Sequence, residues 1–163
     1  MQPNLNVHEL LEIAIQIERN GAAFYRKAAE MAEDDANREQ LTTLALMEDT
    51  HEQIFTAMQG AVQKDDAGLA PQDPEGEAAR YLRAFAQGKI FDLTRDPLEF
   101  LGQPRTATEI LLKAIDLERD SVMYYLGVKN VVAADLGGDQ VDEIIRQEMG
   151  HISLLSGWLD QAR

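Results

Sequence analysis

Apolar residues recur at helical spacing in two long segments of the chain, residues 5–63 and 105–163. Their positions lie three or four residues apart, which is the pattern of an amphipathic helix with one buried face. Both segments lack proline and are rich in Ala, Leu, Glu and Gln, which favour helices. The polar runs 33–37 and 135–139 divide each segment in two. The pattern therefore predicts two helical hairpins, over about residues 6–60 and 106–162.

Each helix of the first hairpin has ionisable residues within its apolar stripe. The stripe of the first helix is Leu11, Ala14, Glu18, Ala22 and Tyr25. The second helix is predicted over about residues 38–59, with Gly60 as its end. Its inner face is Leu41, Leu44, Ala45, Glu48, His51, Phe55 and Met58. Because an unpaired buried carboxylate is costly, a cation beside Glu18 would remove the conflict.

The second hairpin repeats the first at a displacement of 100 residues. Residues of the first helix that have an identical counterpart 100 residues later are Glu9, Leu11, Ala14, Ile15, Glu18, Arg19 and Tyr25. Thr106 and Glu109 predict a capping box at the start of the third helix. The inner face predicted for the fourth helix is Val141, Ile144, Ile145, Glu148, His151, Ile152, Leu155 and Leu159. Gly150 and Gly157 weaken this helix slightly but permit the close approach of a neighbouring helix.

The intervening residues 61–105 contain four of the five prolines and read as a connector. Residues 74–86 predict a shorter helix, with Asp73 as its N-cap and Pro74 at its first position. Apolar runs predicted to anchor the connector are 90–91 and 98–101. A connector of this length can cross a bundle of roughly 40 Å. We therefore predict an all-α four-helix bundle in which residues 1–163 form a single domain.

Composition limits the classes of function. The net charge of −14 argues against a nucleic-acid partner. It suits a protein that gathers cations, with a solubilising surface as the alternative reading of most of these acids. With no cysteine there is no disulfide, thiolate nucleophile or thiolate-bound metal. No apolar run approaches the roughly 18 residues needed to cross a bilayer, and the first residues lack a signal-peptide pattern. We expect no membrane association and a cytoplasmic location.

A Glu-x-x-His motif occurs twice, as Glu48–His51 and Glu148–His151. On a helix the carboxylate and the imidazole point to the same side, where they can bind one metal ion. Such ligands suit iron, manganese or zinc. One copy alone is weak evidence, because a core histidine bonded to a carbonyl gives the same pattern. The second copy favours a metal site, since two of the three histidines in the chain end these motifs.

The four helices together offer one inward Glu on each of two helices and one Glu-x-x-His on each of the other two. Such a set forms the di-iron or di-manganese carboxylate site of ferritin-like four-helix bundles. Four carboxylates in one apolar core repel one another unless divalent cations balance them. The predicted metal ligands and catalytic residues are Glu18, Glu48, His51, Glu118, Glu148 and His151. A metal-free bundle and a single-metal site are the alternatives.

Residues 14–25 (AIQIERNGAAFY), the two Glu-x-x-His motifs and the segment around Glu118 resemble the ferritin-like domain of the rubrerythrin family. The resemblance implies two iron ions, with manganese or zinc also possible. It also implies that Glu48 and Glu148 bridge the metals, while Glu18 and Glu118 each bind one of them.

Two departures from that family bear on the activity. Rubrerythrins carry a cysteine-bound rubredoxin iron as their electron donor, which a chain without cysteine lacks. They also have a further Glu three residues after the third-helix Glu, where this chain has Ser121. In this respect the site resembles the centre of bacterioferritins, with four Glu and two His ligands.

The resemblance implies a redox protein that reacts with peroxide or dioxygen, of peroxidase or ferroxidase type, and draws electrons from an external donor. The first alternative is an iron-binding or storage protein without turnover, which would need a large symmetric assembly. The second is a metal-free helical interaction module. We expect a homodimer or a larger homo-oligomer. Tyr25 and Tyr125 are interpreted as core tyrosines, with hydrogen bonding or one-electron transfer near the metals as the alternative.

Overall fold

A computed structural model of the chain describes residues 6–62, 76–87, 96–132 and 134–162. These residues form six α-helices and no strand. The helices are α1 (Val7–Met31), α2 (Asp35–Ala61), α3 (Glu77–Ala86), α4 (Pro97–Leu101), α5 (Ala107–Lys129) and α6 (Gly138–Gln161), with a short 3-10 turn at Ala134–Leu136. The prediction of an all-α bundle of two hairpins joined through a connector with a short helix is confirmed.

Capping residues fix where the long helices begin. The predicted capping box of Thr106 and Glu109 starts α5, and Asn6 and Glu9 form the same box 100 residues earlier, at the start of α1. Each box satisfies two backbone N–H groups that the first helical turn leaves without partners. Asp34 caps α2 by accepting a hydrogen bond from the backbone N–H of Asn37.

Two details of the predicted helices are wrong, and the close approach that two glycines permit is not used. α2 begins at Asp35 because Asp34 caps it, and it continues through Gly60 to Ala61. The N-cap of α3 is Gly76, which has a φ of +68°, while Asp73 and Pro74 lie outside the described residues. A Cβ added at Gly150 or Gly157 would meet nothing within 4 Å, so neither glycine admits a close helix. The close approach occurs instead at Gly127.

Two apolar clusters fill the bundle, and each draws residues from α1, α2, α5 and α6. The first cluster includes Leu10, Phe55, Tyr124 and Ile144. The second includes Phe24, Leu44, Ala114 and Leu155. The order of these residues along the chain shows that α1 and α6 run from the first cluster to the second, while α2 and α5 run back. This up-down-down-up arrangement, in which α2 and α5 are parallel, leaves one layer of the core between the clusters.

The connector packs against the bundle at both ends. In α3, Leu82 and Phe85 join the first cluster, where a Cβ on Gly127 would lie 2.7 Å from Leu82. The missing side chain at Gly127 therefore allows α3 to approach α5. In α4, Leu101 joins the second cluster. This confirms the predicted anchor at 98–101, whereas the one at 90–91 lies outside the described residues. The connector thus passes from one end of the bundle to the other.

Candidate metal centre

The layer between the two apolar clusters contains all six predicted ligands. Each is buried, with at most 3% of the residue exposed: Glu18, Glu48, His51, Glu118, Glu148 and His151. Each lies on the inner face of its helix, because the apolar stripe that surrounds it in sequence packs into the clusters on either side. The sequence periodicity therefore brings acids from four helices into one place.

The ligand atoms form two overlapping groups, within each of which they lie no more than 4.8 Å apart. The first group is Glu18, Glu48, His51 and Glu148, and the second is Glu48, Glu118, Glu148 and His151. Glu48 and Glu148 belong to both groups. Glu18 and Glu118 each belong to one. Two neighbouring cations would therefore share Glu48 and Glu148 and have one further carboxylate and one imidazole each.

The imidazoles approach the carboxylates with the Nδ1 atom. His51 Nδ1 lies 3.1 Å from Glu148 Oε1 and 3.4 Å from Glu18 Oε2. His151 Nδ1 lies 2.9 Å from Glu148 Oε2 and 3.4 Å from Glu118 Oε1. The two rings stack with their centroids 5.9 Å apart. Glu148 thus presents one oxygen to each histidine, which is the arrangement that a bridging carboxylate requires.

Two tyrosines hold the carboxylates that are not shared. The Tyr25 hydroxyl donates to Glu118 Oε1, and the Tyr125 hydroxyl donates to Glu18 Oε1. Each bond joins α1 to α5, and the two bonds cross in opposite directions. At Glu18 the oxygen that is not bonded to tyrosine, Oε2, faces His51 Nδ1. At Glu118 the oxygen that accepts from Tyr25, Oε1, is also the one that lies 3.4 Å from His151 Nδ1. The interpretation of these residues as ordinary core tyrosines therefore gives way to hydrogen bonding at the site.

Burial and crowding shift the proton affinities of the metal-free centre. Burial, together with the charges of Glu148 and Glu48, raises the pKa of Glu18 and of Glu118 well above its usual range. Burial alone would lower the pKa of His151, but the surrounding carboxylates outweigh it and raise that pKa to about 12. Burial would also raise the pKa of Glu148, yet the two histidines beside it lower that pKa to about 2. Protons thus balance the charge where cations are absent.

Most buried polar atoms without hydrogen bonds in the described residues face this centre. These atoms are Glu18 Oε2, Glu48 Oε1, both oxygens of Glu148, and Nδ1 of His51 and of His151. Leaving so many polar atoms unpaired in a dry core is unfavourable, unless something binds them. Carboxylate oxygens and imidazole nitrogens are ligands for divalent iron, manganese and zinc. The buried Glu/His cluster is therefore compatible with a di-metal site.

A cavity of about 490 Å³ adjoins the centre on the side of α1, α4 and α5. Glu48, Glu118 and Tyr25 line its inner part, together with Gly21 and Ser121. The last two are counterparts at the displacement of 100 residues, and both are small. Ser121 is buried, and its hydroxyl donates to the Leu117 carbonyl 3.0 Å away. Small side chains at both positions therefore leave room for a small molecule beside Glu48 and Glu118.

Comparison with solved structures identifies the architecture. The chain resembles a crystal structure from Thermotoga maritima described as that of a ferritin-like diiron-carboxylate protein, with a TM-score of 0.70 and 24% sequence identity over 100% of both chains. The fold is ferritin-like. No protein-family model and no curated protein matches the chain. No helix among the described residues is long and apolar enough to cross a membrane.

The structure adds one residue to the site that sequence reasoning missed. Gln147 lies beside Glu148 in sequence, and its Oε1 is 2.9 Å from Nε2 of His51, across the interface of α2 and α6. The signal in the sequence is a mismatch in the repeat, because the position 100 residues earlier is Met47. Glu52, which follows His51 in sequence, lies outside this centre and pairs with Arg19.

Proposed function

We propose that this protein is a di-iron carboxylate redox protein of rubrerythrin-like type, which reacts with peroxide or dioxygen and is reduced again by an external electron donor. One observation carries the proposal: the ligand atoms form two groups that share Glu48 and Glu148. When bound there, two ferrous ions would supply the two electrons that reduce one peroxide to water. Manganese would fit the same ligands.

The chain would hold the metals through a division of roles. Glu48 and Glu148 would bridge, while Glu18 with His51 and Glu118 with His151 would complete the two positions. Because carboxylates can bind through one oxygen or both, they can follow a change in metal charge without a movement of the helices. The apolar clusters above and below would exclude water from the centre and strengthen each electrostatic contact.

The cavity beside Glu48 and Glu118 would be the route of the oxidant. Its volume of about 490 Å³ is large enough to hold peroxide, and the small Ser121 side chain in its wall would leave the approach to Glu118 open. Tyr25 lines the same cavity and donates to Glu118, so that its hydroxyl holds a proton close to where the oxidant would arrive. Reduction of one peroxide to water consumes two protons. Because burial and the nearby carboxylates raise the pKa of the Tyr25 hydroxyl well above its usual range, both protons would come from solvent through this cavity.

Anaerobic reconstitution with ferrous iron tests the proposal. We expect about two irons per chain after desalting, and loss of the ferrous state on mixing with peroxide or with dioxygen in a stopped-flow spectrometer. One peroxide should oxidise two irons, and an added reductant should restore repeated turnover. Iron bound without turnover would favour the storage alternative, and less than one iron per chain would refute the proposal. The matched control is Glu52→Gln, which changes a carboxylate adjacent to His51 in sequence but outside the centre.

A further inference from the structure

The two metal positions of the proposed centre differ in how their histidines are supported. His51 Nε2–H donates to Gln147 Oε1 at 2.9 Å. The Gln147 amide in turn donates to Glu143 Oε1 at 3.1 Å, and Arg146 donates to the other oxygen of Glu143. A chain of hydrogen bonds thus runs from the outer nitrogen of His51 to the exposed surface of α6.

The corresponding chain is missing on the other side of the centre. At a displacement of 100 residues, the counterparts of Gln147, Glu143 and Arg146 are Met47, Thr43 and Leu46. A thioether is at best a weak acceptor. The Thr43 hydroxyl is used within α2, where it donates to the Glu39 carbonyl. The inner faces of the hairpins therefore repeat, whereas the residues that would orient the histidines do not.

The outer nitrogen of His151 is left without a partner as a result. His151 Nε2 is buried and has no hydrogen-bond partner among the described residues. It borders a cavity of about 400 Å³ that lies between α2 and α6. Met47, Leu44 and Trp158 contribute to the wall of this cavity. The ring of His151 can therefore turn or shift at a smaller cost than the ring of His51.

We propose that Gln147 is a positioning residue that makes the metal position of Glu18 and His51 the tighter of the two, and that the position of Glu118 and His151 exchanges its metal more readily. The inference rests on the proposed metal centre. A partner at the outer nitrogen fixes the orientation of a ligand histidine and raises its basicity. Loss of such a partner typically costs 10–100-fold in metal affinity. The centre would therefore fill and empty in a fixed order.

Calorimetric titration of the metal-free protein with Zn²⁺ alone tests the inference. We expect two steps whose dissociation constants differ by about 10–100-fold. Gln147→Met should weaken the tighter step by a similar factor, because it places methionine behind His51, as Met47 already stands at the corresponding position in the other hairpin. Met47→Gln should tighten the weaker step. Gln16→Met is the matched control, since Gln16 is exposed on α1 and bonded to Asn20, and it should change neither step.

Nuclear magnetic resonance of ¹⁵N-histidine-labelled protein assigns the steps to the two positions. The first equivalent of Zn²⁺ should shift the His51 ring and leave a slowly exchanging Nε2–H signal, which Gln147→Met should remove. Two equal binding steps would overturn the inference, as would Gln147→Met with unchanged steps and an unchanged His51 signal. Absence of any zinc binding would instead refute the proposed metal centre, so the two failures are distinguishable.

Discussion

The two hairpins agree on their inner faces and differ on the faces behind them. Glu18 and Glu118 occupy corresponding places, and each accepts a hydrogen bond from the tyrosine of the other hairpin. Behind the histidines the correspondence ends, with Gln147 on one side and Met47 on the other. The two hairpins are alike in the side chains that face the shared centre, because both hairpins contribute ligands to it. They differ in the side chains behind the histidines, because each of these lies beside the histidine of one hairpin only.

The largest expected effect follows from the carboxylates that both ligand groups share. Glu148 has one oxygen near each histidine, whereas Glu18 belongs to one group. Glu148→Gln should therefore abolish binding of both metals, and Glu18→Gln should leave one position filled. Elemental analysis of reconstituted and desalted protein measures the metal content per chain.

The matched change in the other hairpin sharpens this comparison. Glu48→Gln should behave as Glu148→Gln does, and Glu118→Gln as Glu18→Gln does, because the two groups are related by the repeat. Circular dichroism of the metal-free variants checks that each remains helical. If Glu148→Gln retained two metals, Glu148 would not bridge the two metal positions, although it belongs to both ligand groups.

The second expected effect concerns the stability of the protein as the pH rises. The stability of the metal-free protein should fall, while the stabilisation by bound metal should grow. The pKa values of Glu18 and Glu118 are raised in the folded state, above an ordinary value of 4.5. The folded state then binds more protons than the unfolded state, so that the stability of the metal-free protein falls as the pH rises above 4.5. The pKa of His151 is also raised, from an ordinary value of 6.5, so the stability of the metal-free protein continues to fall above pH 6.5. Each extra proton contributes about 1.4 kcal/mol per pH unit.

Urea unfolding with a chelator between pH 5 and pH 8 measures this fall. Metal binding displaces the same protons, so the stabilisation by metal should grow over the same range. The lowered pKa of Glu148, about 2, contributes nothing here, because that group is ionised in both states above 4.5. The double variant Glu18→Gln, Glu118→Gln should flatten the slope. A metal-free protein that is more stable at the upper end of the range would contradict the assigned directions.

How much the sequence predicts depends on whether a feature is local or crosses between helices. All seven positions predicted on the inner face of α2 are buried, because the helical period alone decides which side faces the core. The burial of the six predicted ligands in one layer follows from the same period, reinforced by the repeat. Helix ends are less certain, since a single cap such as Asp34 moves the start of α2 by three residues.

Contacts between distant residues leave no such trace in the sequence. The bond between Gln147 and His51 joins residues 96 positions apart, and its geometry depends on how α2 and α6 pack. The tyrosine bonds span 93 and 107 positions. The stripes place Tyr25 and Tyr125 in the core, yet only the packing of α1 against α5 makes each of them reach the carboxylate of the opposite hairpin.

The third expected effect concerns the crossed tyrosine bonds, which are alike on the two sides. Tyr25→Phe and Tyr125→Phe each leave a buried carboxyl oxygen without its donor, at a cost of about 1–3 kcal/mol. Because the two bonds are reciprocal, the costs should be similar. Urea unfolding of the metal-free variants measures them. Tyr124→Phe is the control. Tyr124 is also buried, but its hydroxyl donates to the Leu10 carbonyl at 2.9 Å rather than to a carboxylate of the centre, so this variant should leave metal affinity unchanged. Clearly unequal costs for the first two variants would contradict the symmetry of the inner face.

The smallest expected effect lies on the outer face, at an ion pair that one hairpin has and the other lacks. Arg19 Nε lies 2.7 Å from Glu52 Oε1, joining α1 to α2, with the two side chains 51% and 26% exposed. In the second hairpin the counterpart of Glu52 is Ile152, which is predicted on the inner face of α6 but is only partly buried. Arg119 pairs instead with Asp116 within α5.

Glu52→Gln should therefore lower the free energy of unfolding by less than about 1 kcal/mol, because solvent screens an exposed pair. Added salt should reduce the difference further. Metal content should stay at the level of the unchanged protein, since Glu52 points away from the centre and His51 keeps its bond to Gln147. If this variant lost a metal, Glu52 would have to be counted among the metal ligands. The outer faces of the two hairpins would then differ in their ligands as well as in the residues that hold the histidines.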